Sequence, residues 1–355
     1  MPKRLSQRSC GIAAALFMLC AHARSQEPAA EDQAIETMRQ LLQISAADQR
    51  RIADWVQAQL DKLTGTPQGA RQEAALAFRK TLKSQYDQQA NSAPFKAQLA
   101  AQTAQLAAAR LGDPQADRWV SFALVRTLAD FNHIETLPGL LAGLKSPQDA
   151  ARLLSAEGLA ALRVTIVTDK KLGDVVPALR QAGVAETSPT VLSRIYVALA
   201  YPAEGATVFD AYLAIFEKRL SFRRAAPLAS DGAEVEAYEF FRSPTVLGAL
   251  NQQQKEQLVR ALAVFLRLDA ERYNSPGLAF KEMDRLERLL DGGESILAEL
   301  VGAGKGGKIR GEIDAGGHAN SAQVVSEGYK WFGNPTANEA GALNSAPWNV
   351  PIGAP

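Results

Sequence analysis

The chain has 355 residues and a formal net charge of +1, from 39 basic and 38 acidic side chains. This balance, without a strongly basic segment, argues against nucleic-acid binding, because phosphate contacts require clustered lysine and arginine. The length suffices for a large core or an extended helical array.

The first 23 residues have the features of a signal peptide. Positions 3 to 8 carry three cations, residues 10–20 are apolar, and Ala21-His22-Ala23 has the small-x-small pattern of a cleavage site. Cleavage after Ala23 predicts an exported protein, periplasmic or extracellular. It also removes Cys10 and Cys20, so the mature chain has no disulfide and no thiolate ligand. The apolar stretch is too short to cross a membrane, and no later stretch reaches the length required.

Residues 24–112 are predicted to form an N-terminal helical region. Apolar side chains recur at helical spacing in 32–44 and again after the capping sequence Ser45-Ala46-Ala47-Asp48. A further helix is predicted over 70–90, and an alanine-rich one over 95–111.

Residues 113–301 are predicted to form an array of helical hairpins. Val120, Leu124 and Leu128 define one face of a helix over 119–131, and Leu137-Pro138 begins a second helix. Val176-Pro177 repeats this helix start after a spacing of about 40 residues, a period typical of stacked two-helix repeats.

The array continues with predicted helices at 150–162, 189–200, 206–220, 252–268, 277–290 and 294–301. Residues 164–168 are β-branched and are predicted to be an extended connection between helices. Residues 221–244 interrupt the rhythm and are interpreted as an insertion. After Gly302 the composition shifts to glycine, alanine, asparagine and proline, which predicts a disordered tail over 302–355.

The hairpins at 119–145, 149–183 and 190–220 resemble HEAT or armadillo-type repeats. The resemblance covers roughly residues 115 to 300 and is one of architecture, with uneven repeat lengths and no evident ladder of aspartate and arginine between units. It implies an all-α fold, an α-solenoid of stacked two-helix repeats whose surface binds a partner. It carries no catalytic residues.

Candidate partner-binding residues lie in and beside the insertion, because insertions in solenoids often fall on the binding face. The densest basic cluster and an acidic and aromatic stretch occur there. The candidates are Arg219, Arg223, Arg224, Glu236, Tyr238, Glu239, Phe240 and Phe241. A local ion-pair network and a plug of aromatic side chains are the alternative interpretation of the same residues.

Two further features of the sequence are candidate binding sites. Gly302 to Lys308 fits the spacing GxxxxGK, but a phosphate loop also needs a preceding strand and a serine or threonine after the lysine, so a flexible linker is favoured. His133 and His318 are the only histidines of the mature chain, which disfavours a histidine metal site. No cofactor and no metal are predicted.

The sequence therefore predicts a non-enzymatic scaffold outside the cytoplasm that holds a protein or peptide. The alternative is an α-helical enzyme acting on an envelope or extracellular polymer, with the acids near 234–239 as candidate catalytic groups. That alternative requires a pocket in which two acids, or an acid and His133, converge.

Overall fold

The computed structural model describes residues 30–226, 232–302 and 304–352. Helices make up 76% of the described residues, which contain no strand and only one isolated bridge, between Asn334 and Glu339. The prediction of an all-α fold is confirmed. The predicted signal peptide, residues 1–23, lies outside the described residues.

The helices of the first half are α1 (Ala30–Met38), α2 (Ala46–Thr64), α3 (Arg71–Tyr86), α4 (Ala93–Leu111), α5 (Arg118–Phe131), α6 (Leu137–Gly143), α7 (Asp149–Ala161), α8 (Arg163–Thr168) and α9 (Leu172–Ala185). Those of the second half are α10 (Pro189–Leu199), α11 (Gly205–Ala225), α12 (Val235–Phe241), α13 (Pro244–Ala249), α14 (Gln252–Tyr273), α15 (Phe280–Val301), α16 (Ile309–Gly316) and α17 (Ser321–Phe332).

Polar side chains cap the N-termini of several helices. At α2 the Ser45 hydroxyl accepts from the backbone N–H of Asp48, whose carboxylate accepts from the backbone N–H of Ser45. Asn251 and Gln254 form the same capping box at α14. The Asp117 carboxylate accepts two backbone N–H groups at the start of α5. These bonds satisfy N–H groups that the first turn of a helix leaves without partners.

The helices pack in two rows, which we call row A and row B. In row A, α3 packs on α5, α5 on α7, α7 on α10, α10 on α12 and α12 on α15. In row B, α2 packs on α4, α4 on α6, α9 on α11, α11 on α14 and α14 on α17. Helices that follow one another in the chain mostly alternate between the rows, as in stacked hairpins. That these hairpins wind into a solenoid stays a prediction.

The core lies between the rows, where hairpin partners such as α5 and α6 or α14 and α15 face each other. Leu124, Leu140 and Leu159 are fully buried there. Close approach requires glycine at one position: a Cβ on Gly143 would lie 2.0 Å from the hydroxyl oxygen of Ser155, well inside contact distance. Gly143 thus sets the spacing between α6 and α7.

Row B is interrupted between α6 and α9, which share few contacts. The short helix α8 precedes α9 in the chain and replaces the extended connection predicted for 164–168. That prediction rested on β-branched propensity and is wrong, because Ile166 packs into the core from a helical turn. The gap beside α9 forms a cleft of about 940 Å³.

The prediction of a disordered tail over 302–355 is wrong for the part that the structure describes. α16 and α17 pack on each other, and α17 packs on α14 of row B. Trp331 and Phe332 are buried, as are Leu343, Trp348 and Val350 beyond α17. At Gly306 and Gly307 the backbone runs so close to Trp331 and Glu327 that there is no room for a Cβ.

The predicted insertion over 221–244 contains α12, which continues row A between α10 and α15. It is therefore partly a regular element of the array, although residues 227–231 lie outside the described part. The two helices predicted at 277–290 and 294–301 form one continuous helix, α15. Gly292 and Gly293 do not interrupt it, because they lie where the helix passes close to the ring of Tyr238.

Candidate functional site

Three clefts follow one another along row B. Cleft 1 lies between α6 and α9 and has a volume of about 940 Å³. Cleft 2 lies between α9 and α11, with about 660 Å³, and cleft 3 lies between α11 and α14, with about 370 Å³. Ala178 lines cleft 1 while its neighbour Pro177 lines cleft 2, and Glu217 lines both clefts 2 and 3. The three clefts therefore form one surface across four helices, the row B surface.

The floor of each cleft is apolar. Leu137 and Leu141 line cleft 1, and their helix begins with the proline that marks the repeat in the sequence. Val176 and Val184 line cleft 2. In cleft 3 the corresponding side chains are Leu213, Leu220, Ala261 and Val264. Apolar side chains at the base of a concave surface provide the desolvated contact area on which recognition depends.

The rims of the clefts are charged, and their charges have no ion-pair partner within 4.0 Å among the described residues. These side chains are Glu135, Lys145, Asp169, Lys171 and Asp174 in cleft 1, Arg180, Asp210 and Glu217 in cleft 2, and Arg224 and Arg260 in cleft 3. Carboxylates predominate in clefts 1 and 2, and guanidinium groups in cleft 3. Arg152 and Glu186, by comparison, pair at 2.7 Å.

His133 stands beside cleft 1 but is held by the local turn. Its Nδ1 accepts the backbone N–H of Glu135 at 3.2 Å and so caps the turn before α6. Burial lowers the pKa of His133 below its usual value, and this outweighs the opposing charges of Glu135 and Asp169. The imidazole is therefore neutral at pH 7 and serves as a turn residue.

Two of the three predicted site residues on α11 form buried ion pairs. Arg219 contacts Glu234 at 2.6 Å, and Arg223 contacts Asp269 of α14 at 2.7 Å, with both members of each pair buried. Burial by itself lowers the pKa of Arg223, but the charge of Asp269 outweighs it, so the pKa is raised and the guanidinium stays charged. Direct contact of Arg219 or Arg223 with a partner is incompatible with this burial.

The predicted aromatic residues belong to the core. Phe240 stacks on Tyr212 with ring centroids 4.8 Å apart, and Phe241 meets the same ring edge-on at 5.1 Å. Tyr238 meets Phe216 edge-on at 6.3 Å. These three side chains fasten α12 to α11, and their burial removes them from any surface that a partner contacts.

The remaining three predicted residues are not brought together. Arg224 is exposed and lines cleft 3, so it is the one predicted residue on the row B surface. Glu239 is exposed on α12 in row A, where it pairs with Arg242 at 3.2 Å. Glu236 lies on the same helix, partly buried, and lines none of the three clefts.

The GxxxxGK sequence leads into a helix, but a carboxylate occupies the start of that helix. The two oxygens of Glu294 accept the backbone N–H groups of Ile309 and Arg310 at 2.7 and 2.8 Å. Gly307 has no room for a Cβ, which would lie 1.9 Å from the backbone oxygen of Glu327. Gly306 and Gly307 therefore serve close packing, and Glu294 fills the position that a phosphate takes at a helix N-terminus. The linker interpretation is wrong for this packed end of the motif.

Among the described residues, no group of three histidine, cysteine or acidic side chains could hold a metal ion. None of the described helices combines the length and apolarity needed to cross a membrane. Comparison of the chain with protein-family models, curated proteins and solved structures found no match.

Sequence reasoning missed most of the row B surface, although one signal pointed to it. Pro138 and Pro177, which revealed the repeat, line clefts 1 and 2. Pro138 lies in the first turn of α6, whereas Pro177 lies inside α9, which begins at Leu172, so the helix start predicted at Val176-Pro177 is wrong. Both helices nevertheless belong to row B, and the two prolines thus mark the row that carries the clefts.

Proposed function

We propose that the chain is a non-enzymatic interaction scaffold, an exported α-solenoid that holds a protein or peptide segment along the row B surface. The observation that carries this proposal is the set of unpaired charges on the rims of three connected clefts with apolar floors. A charge without an internal partner remains available to an incoming one, which gives specificity and steers encounter. Export is proposed from the signal-peptide features of residues 1–23.

The alternating packing of successive helices supports the solenoid part of the proposal. Each row grows by one helix per unit, and units contact mainly their neighbours, as in repeat proteins. The interruption between α6 and α9 widens row B and makes cleft 1 the largest of the three. A partner segment that enters cleft 1 can continue into clefts 2 and 3 without leaving the surface.

The alternative, an enzyme acting on an envelope or extracellular polymer, gains no support from its candidate acids. Glu234 is buried against Arg219, Glu239 pairs with Arg242, and Glu236 lines none of the clefts named above. Two acids that share a catalytic task must converge on one bond of the substrate. The acids of cleft 1 are exposed rim residues beside two lysines.

Co-purification from the native host tests the proposal. Leu141→Glu places a charge on the apolar floor of cleft 1, whereas Leu153→Glu makes the same change at a similarly half-buried leucine of row A. We expect a protein that accompanies the parent chain to remain with Leu153→Glu and to fall at least about tenfold with Leu141→Glu, a loss of about 1.4 kcal/mol. Equal recovery with both variants, each folded by circular dichroism, contradicts the proposal.

A further inference from the structure

The C-terminal segment, residues 342–352, reaches the row B surface at cleft 3. Pro347 and Trp348 line a crevice with Leu247 of α13 and Leu300 of α15. Val350 and Pro351 form one wall of cleft 3, between α11 and α14. The segment therefore lies across the first half of α14, with its apolar side chains in crevices on both sides of that helix.

The chemistry of this segment is distinctive. Residues 340–355 contain no charged side chain, so the segment reaches the guanidinium groups of cleft 3 without a counter-charge. Leu343, Trp348 and Val350 are nonetheless buried to 0%, 7% and 4% exposure. Burial of apolar surface is thus what holds the segment against the helices.

Hydrogen bonds shape the segment and join its start to the end of α17. The Asn344 side chain donates to the backbone oxygen of Val350 at 2.7 Å and to that of Phe332 in α17 at 3.3 Å, and the Val350 N–H donates to the backbone oxygen of Leu343 at 2.9 Å. Within the described residues, no hydrogen bond joins 345–352 to α11 or α14. Residues 345–352, which only apolar contacts hold against these two helices, can therefore leave the cleft while the start of the segment stays at α17.

We infer that the C-terminal segment is an intramolecular ligand of cleft 3, and that this cleft accepts an uncharged, proline-containing apolar segment of the same kind from a partner. The chain's own C-terminal segment then competes with the partner's segment for cleft 3. The inference rests on the proposed function only in treating row B as a binding surface, and its test needs no knowledge of the native partner.

A synthetic peptide of residues 341–352, with blocked ends and a fluorescein label, is the probe. It is titrated by fluorescence anisotropy against the full chain and against the full-length variant Trp348→Ala/Val350→Ala, whose own segment has lost its two apolar anchors. We expect the variant to bind the peptide at least tenfold more tightly than the parent. Adding Leu213→Glu in cleft 3 should abolish binding, whereas adding Leu153→Glu in row A should leave it unchanged.

Equal affinity of parent and variant, or no binding by a variant that keeps its helical circular dichroism, overturns the inference. Should the double variant not fold, Asn344→Ala keeps Trp348 and Val350 and removes the bonds that shape the segment and join it to Phe332 of α17. It is expected to bind the peptide more tightly than the parent. If the parent forms a concentration-dependent dimer that the peptide dissociates, the segment of a second copy occupies cleft 3. That result would overturn the inference that each chain's own segment occupies the cleft. The peptide test can fail while cleft 1 still retains its partner, so the two proposals fail separately.

Discussion

Removing the carboxylate of Asp269 is expected to destabilise the protein strongly. Asp269 and Arg223 are 0% exposed and 2.7 Å apart. At a charge separation of about 4 Å and an effective dielectric constant near 20, their attraction is about 4 kcal/mol. Asp269→Ala loses this attraction and leaves a guanidinium that has already been desolvated. Breaking one side of such a buried pair costs about 3–5 kcal/mol.

Urea unfolding followed by circular dichroism measures this cost, with two variants as controls. Glu239→Ala breaks the exposed pair with Arg242 and should cost at most about 1 kcal/mol. Arg223→Met/Asp269→Leu removes both buried charges and should recover most of the stability lost in Asp269→Ala. If Asp269→Ala costs no more than Glu239→Ala, the pair is not buried, and the reassignment of Arg223 from partner binding to the core is refuted.

Three further predictions concern the tail and the units of the array. Glu294→Ala removes the acceptor at the start of α16 and should make residues 304–352 sensitive to limited proteolysis, with a loss of about 1–3 kcal/mol. Gly307→Ala places a Cβ 1.9 Å from a backbone oxygen and should have the same effect, whereas Gly311→Ala, with no contact closer than 3.7 Å, should be neutral or stabilising in thermal unfolding. For Glu186, burial raises the pKa, but the bonds from Arg152 and from two backbone N–H groups outweigh it, so the pKa lies below 4.5. The stabilisation that Glu186 contributes is present above pH 4.5 and lost as pH falls through the lower folded pKa, and Glu186→Gln should flatten the urea-unfolding profile in that acidic range.

Local signals predicted the helices well, because each signal depends on residues close in sequence. The capping box at Ser45 forms within a single helix, α2. The spacing of Val120, Leu124 and Leu128 places these side chains on one buried face of α5. The period of about 40 residues predicted helical hairpins, and the packing of α5, α6 and α7 agrees with it.

The site residues could not be predicted in the same way, because their roles depend on partners distant in sequence. In the sequence, Arg223 has the neighbours of a solvent-exposed cation. Its partner, Asp269 of α14, is distant in the chain and becomes apparent only in the structure. Phe240 and Phe241 follow acids in the sequence, but their rings meet Tyr212 from another helix. The density of charged and aromatic residues therefore indicated the place in the core where α11 packs on α12 and α14, and not a binding surface.

The prediction of a disordered tail is wrong because composition alone does not measure order. Glycine at 306 and 307 allows the backbone to approach Trp331 and Glu327, a role that composition cannot distinguish from flexibility. Ile309, Ile313 and Val324 are buried, yet their spacing is spread over two short helices and gives only a weak periodic signal. Tertiary contacts with α14 and α15 order this segment.

Site-specific photo-cross-linking in the native host tests the central claim most directly. A photoreactive residue is placed at Ala142 in cleft 1 or Gln181 in cleft 2, and for comparison at the exposed positions Leu76 and Glu239 of row A. The account predicts a discrete protein adduct from both row B positions and none from row A. Adducts from row A alone, or equally from all four positions, would contradict it.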